Sequence, residues 1–125
     1  VACLATLCND FAAVPLVSPD YYRQQWPEEF AEGRIWYVGF IAVATPFQGS
    51  TVMGATVRYL TEVASRDGGV LAADFCEFNE EQTRISSALT RLSRNFNPGV
   101  RRRRLDSQQY WAFEFPRRQS APVDR

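Results

Sequence analysis

"TVMGATVRYLTEVA", residues 51–64, satisfies two periodicities at once. Read with a period of two, Met53, Ala55, Val57, Tyr59 and Val63 fall on one side and Thr56, Arg58 and Glu62 on the other, which describes a strand with one wet face. Read with the helical period, Met53, Val57, Leu60 and Ala64 make a single stripe. The alternation is the reading favoured here. The chain as a whole reads as mainly β, with a small α+β domain as the alternative.

The stretch before it, "GRIWYVGFIAVATP" (33–46), carries no charge between Arg34 and Pro46. It is short for a helix and rich in β-branched and aromatic residues, so it reads as a strand. Ile35, Tyr37, Ile41 and Val43 then point one way and Trp36, Val38, Phe40, Ala42 and Ala44 the other. Both faces need cover, as in a central strand or a sheet held between a core and a neighbouring molecule.

Outward from there the chain reads as follows. "ACLATLC" (2–8) is the end of a strand. Phe11 to Val17 is extended, held there by Pro15 and Pro19, and Tyr21, Tyr22 and Trp26 follow in a loop, covering a core edge or an interface. "SRDGG" (65–69) is a turn and "VLAADFCEF" (70–78) an extended segment. Asn79 has the character of an N-cap, with Gln82 at the capping-box position, and Ile85, Ala88, Leu89, Leu92 and Phe96 recur at helical spacing until Asn97-Pro98-Gly99 stops the helix. Tyr110 to Phe115 is a short strand or an aromatic anchor, and Ser120 to Arg125 frays. This divides the chain into a β-rich body (1–78), an amphipathic helix (79–97) and an arginine-rich extension (98–125).

Composition removes several chemistries. A chain of 125 residues, 46% hydrophobic, suits one domain with its own core. There is no histidine and no lysine, which excludes Ser-His and Cys-His hydrolysis, Schiff-base chemistry and a Walker lysine within this chain. Cys3, Cys8 and Cys76 form no CxxC pair, so neither a zinc site nor a disulfide framework is expected, and Cys76 between Phe75 and Phe78 reads as an inert thiol. No membrane-spanning run occurs, and with no initiating Met or cleavage signal the sequence reads as beginning internally. The carboxylates of Glu28, Glu29 and Glu32 and of Glu77, Glu80 and Glu81 serve solvation and capping; no catalytic residue, cofactor or metal is assigned.

Charge is split. Residues 1–82 carry a net −7 and residues 83–125 a net +7. Arg91, Arg94, Arg101, Arg102, Arg103, Arg104, Arg117 and Arg118 place eight guanidiniums within 28 residues, suited to bidentate contacts with RNA phosphates, with Tyr110, Trp111 and Phe113 available for stacking. A solvated basic tail, or ion pairs with the acidic half, is the competing account.

The order "VPLVSPDYY", aromatic loop, "RIWYVGFIAVATP", short loop, "TVMGATVRYLTEVA" resembles the C-terminal part of picorna-like virus coat proteins, of the comovirus and nepovirus type or their insect and algal relatives, over residues 11–64. The resemblance implies the last strands of a jelly-roll β-sandwich, incomplete in this length, with an appended helix. It further implies a self-assembling, non-enzymatic capsid protein cut from a polyprotein, located in the virion and, during assembly, in the host cytoplasm. Its partners would be other coat subunits and genomic RNA, with no membrane. Tyr21, Tyr22, Trp26, Trp36, Tyr110 and Trp111 are the candidate interface anchors. The alternative is a small α+β accessory or RNA-binding subunit of a large assembly such as a ribonucleoprotein.

Overall fold

The computed structural model of the chain describes residues 1–14, 18–66 and 68–119. Three strands, β1 (Cys3–Cys8), β2 (Ile35–Val43) and β3 (Val70–Ala73), form one sheet in the order β1-β2-β3. Five helices accompany them: α1 (Pro19–Gln25), α2 (Pro27–Ala31), α3 (Val52–Ser65), α4 (Glu77–Thr83) and α5 (Ile85–Phe96). At 44% helix against 17% strand the fold is α+β, and the jelly-roll β-sandwich expected above is not what this chain forms.

The correction turns on residues 51–64. They are helix, and the stripe that alternation obscured is the one that packs: Val57, Leu60 and Ala64 are buried, together with Thr61. Alternation and helical spacing share Met53 and Val57 over so short a window, so burial decides between them. A helix lets Val57 and Leu60 enter the same core, and each buried side chain contributes about 1.5–3 kcal/mol. The helix also joins β2 to a parallel β3, a connection that a crossover requires and a hairpin cannot make.

β2 is a strand, as read from sequence, and is central. It pairs antiparallel with β1 (Cys3 opposite Val43, Leu7 opposite Val38) and parallel with β3 (Ile35 opposite Val70, Val38 opposite Ala73). Its two faces are not those of simple alternation. Between Ala5 and Leu7 of β1 the partner on β2 moves from Ile41 to Val38, so Gly39 and Phe40 together oppose Thr6. This bulge reverses the parity of the strand. Ile41 and Val43 therefore join Val38 on the face covered by α3, where Cys3, Ala5 and Leu7 line a groove with Val52, Thr56 and Leu60. Phe40 and Ala42 turn to the opposite face.

On that opposite face Ile35, 1% exposed, and Ala72 pack with Phe11 and Tyr22, joined by Tyr21, Trp26, Phe30, Tyr37, Val70 and Leu105. The segment expected as an aromatic loop is thus two short helices, each begun by a proline at its first position, where the missing N–H costs nothing. Phe11 opens a short 3-10 turn, Phe11–Ala13, rather than an extended segment, and Val14 after it is extended as expected; Pro15 to Val17 lie outside the described residues, as do Asp67 of the expected turn and the C-terminal Ser120 to Arg125. The demand for cover on both sides of β2 is met by α3 on one face and only in part on the other: Leu4 and Phe40 remain 56% and 49% exposed.

The helix expected over 80–96 is two helices. Arg84 adopts a left-handed conformation (φ 49°) between α4 and α5, and Asn79 lies inside α4, which begins after Cys76. α5 is amphipathic as read from sequence and lies mainly on α3, where Ser93 Oγ meets the buried Thr61 Oγ1 at 3.4 Å.

Candidate functional site

After Phe96 the chain has no helix or strand through residue 119, yet its start is fixed to the body. Leu105 packs against the aromatic cluster, and its carbonyl accepts a hydrogen bond from Tyr21 Oη at 3.2 Å. Arg103 lies 5.3 Å over the ring of Trp26 and donates to Gln25 Oε1. Arg102 donates to the hydroxyls of Ser86 and Ser87, at 3.2 and 2.9 Å, in the first turn of α5. These contacts strap residues 102–105 across the molecule from α5 to α1.

Every one of those partners is neutral. Three ion pairs occur among the described residues, Arg23 with Asp20, Arg34 with Glu32 (2.8 Å) and Arg58 with Glu62 (3.0 Å), and none uses an arginine of the basic half. The expectation that this arm is neutralised by ion pairs to the acidic body therefore finds no support among the described residues. One carboxylate lies close. Glu80 accepts from the Ser86 hydroxyl and from the Ser86 backbone N–H at 3.0 Å, so it caps α5 from the preceding helix. Those hydrogen bonds, with the field of Arg102 and Arg104 beyond them, hold its carboxyl below the usual range.

Of the eight arginines picked out in the sequence, Arg102 and Arg103 are anchored; Arg101 and Arg104 flank them, exposed. Arg91 and Arg94 are exposed on α5, Arg117 and Arg118 at the far end of the arm. Tyr110, Trp111, Phe113 and Phe115 between them are 72–89% exposed. The strap thus brings α5 and residues 101–104 together. Among the proposed anchors, Tyr22 is buried and Tyr21 and Trp26 half-buried in the chain's own core. Trp36 is half-buried on the α3 side of the sheet. Only Tyr110 and Trp111 stand in solvent.

Gln25, Ser86, Ser87 and Leu105 were not singled out by the sequence. Leu105 had a signal, being an apolar residue directly after four arginines; the other three are polar residues whose role depends on which helices the arm crosses. Among the described residues no three of Cys, Asp and Glu gather as a metal site, and no helix is long and apolar enough to cross a membrane. The three cysteines are free thiols, Cys3 Sγ accepting from Thr56 Oγ1 at 3.2 Å.

A second place is marked by topology. β2 continues for residues 39–43 past its last pairing with β3, so on that side its backbone has no strand partner among the described residues. It then leads through a turn containing Gly49 (φ 80°) to the start of the 14-residue α3. No family model matches the chain, and no curated protein or solved structure matches it.

Proposed function

We propose that this chain is a small α+β accessory subunit that holds RNA by its phosphates through the arginine-rich arm. The supporting observation is that no ion pair among the described residues uses an arginine of the arm. Arg102 and Arg103 tie the arm down through hydroxyls, an amide and a ring, which fixes its place without neutralising its charge. Guanidinium forks without ion pairs, on an arm that also carries exposed aromatic rings, are suited to phosphates and unstacked bases. The coat-protein reading drew its structural argument from a β-sandwich; what survives of it, a non-enzymatic subunit of a larger assembly with a basic arm, is contained in this proposal.

Fluorescence anisotropy of a labelled single-stranded RNA, titrated between about 50 and 200 mM salt, tests it. Replacing Arg101 to Arg104 with Ala should weaken binding and reduce the slope of log affinity against log salt by about 3, roughly 0.7 for each phosphate that is no longer held. A slope unchanged by the substitution refutes the phosphate role.

The length of β2 beyond the end of β3, residues 39–43, favours a second reading. Ligands of open α/β sheets sit beyond the carboxyl ends of parallel strands, and helix starts attract phosphate. An unpaired strand edge leading into α3 suits an elongated ligand with amides along its length and phosphate at one end, coenzyme A being a common compound of that chemistry. Coenzyme A should then raise the melting temperature, and pantetheine and ADP each less. No shift with any of the three removes this reading and leaves the first intact.

A further inference from the structure

Directly after the strap, Asp106, Ser107 and Gln108 are exposed and lie in neither helix nor strand. Ser107 follows Arg104 by three residues and Arg102 by five, and of all the serines and threonines in the chain it alone has arginine at both of those positions. The spacing has a physical meaning. Kinases that select arginine-bearing segments hold them extended in the catalytic cleft and pair their own carboxylates with guanidiniums three and five residues ahead of the acceptor hydroxyl. Arg104 is exposed and belongs to none of the ion pairs among the described residues, so its fork can take such a carboxylate. Arg102 is held by the hydroxyls of Ser86 and Ser87, exposed hydrogen bonds to neutral partners that a charged partner outcompetes.

We propose that Ser107 is the acceptor of a serine kinase that reads Arg102 and Arg104, and that phosphate at Ser107 turns off the arm's hold on RNA; the second half rests on the RNA reading above. In the transfer, Ser107 Oγ attacks the γ-phosphorus of Mg-ATP and the bond from that phosphorus to the bridging oxygen breaks. ADP leaves with the electron pair, and the hydroxyl proton passes to a carboxylate of the kinase. The product carries about −1.5 to −2 charge at pH 7 and three strong acceptor oxygens. Three residues of chain span at most ~10 Å, so the phosphate is within reach of the arm's own guanidiniums. Forks that grip this internal anion are no longer open to the phosphates of RNA.

The whole chain, incubated with Mg-ATP and a purified kinase that requires arginine at both positions, should gain one phosphate, placed on Ser107 by peptide mass spectrometry. Ser107→Ala should stay unlabelled, and Arg104→Ala should lower kcat/KM for phosphorylation by about tenfold or more at an unchanged melting temperature. Label on another residue, or equal labelling of Arg104→Ala and the wild type, as a kinase reading Gln108 would give, overturns the acceptor assignment. In the anisotropy titration the phosphorylated chain should bind single-stranded RNA about tenfold more weakly near 100 mM salt. Its slope of log affinity against log salt should fall by about 1.4, the equivalent of two phosphates at roughly 0.7 each. Phosphorylated and unmodified chains that bind alike overturn the switch. A chain that binds no RNA in either form overturns the RNA reading and the switch with it, while the label alone decides whether Ser107 is the acceptor.

Discussion

Tyr37 shows how one residue ties the two sides of the molecule's chemistry together. Its ring is half-buried against the aromatic cluster and its hydroxyl donates to Asp74 just beyond β3. Burial, and then the hydrogen bond to that carboxylate, push the Tyr37 phenol up, far past the ordinary tyrosine range. Burial also raises Tyr22, with smaller contributions from Tyr21 and Asp74. The folded state keeps protons that the unfolded chain gives up near pH 10, so their contribution is whole below about pH 10 and declines as pH rises above it. Urea unfolding followed across that range should show stability falling, and Tyr37→Phe should flatten part of the decline while costing about 1 kcal/mol at neutral pH. Equal alkaline slopes in the two proteins would contradict this. The sequence showed Tyr37 as a strand residue and Tyr21, Tyr22 and Trp26 as rings needing cover. It could not show Asp74 as a partner, because that hydrogen bond spans 37 positions and exists only once β3 lies parallel to β2.

At the scale of elements, the bulge in β2 explains both what the sequence disclosed and what it hid. The strand itself was legible from its unbroken apolar run. Its facing was not, because one extra residue against Thr6 inverts every side chain that follows, and Gly39 is the sole hint. A Cβ at Gly39 would run into Thr6 Oγ1. That hydroxyl also accepts from Phe40 N–H at 3.1 Å and so holds the bulge in place. Gly39→Ala should destabilise the protein by about 1–3 kcal/mol in denaturant melts, and by clearly less in a Thr6→Ala background. Identical costs in both backgrounds would show that the hydroxyl is not the obstacle. The same competition between patterns governs the helices. α5 was legible because its stripe runs through twelve residues to a clear stop, whereas α3 carries a pattern that satisfies two periods. The break at Arg84 was invisible because nothing in its chemistry asks for a left-handed residue.

For the molecule as a whole, the arm is part of the fold at its near end, where residues 102–105 are tied to α5 and α1. Its charge was legible from composition alone; its anchorage was not, since Leu105 reaches a cluster assembled from Phe11, Tyr22, Ile35 and Ala72. A chain ended after Asp106 keeps Leu105 and the Tyr21 hydrogen bond, while one ended after Gly99 lacks both. Calorimetry should find the first melting like the full chain and the second about 5 °C or more lower. Equal melting points would mean the strap carries no stability. The central place of β2 has one more consequence, for birth rather than function. β1 is synthesised before β2, its strand partner among the described residues, and at ribosomal rates of roughly 5–20 residues per second it waits on the order of seconds for β2 to emerge. An uncharged strand idle for that long is a natural client for a chaperone at the exit tunnel, and a charge placed there would shorten its dependence on one.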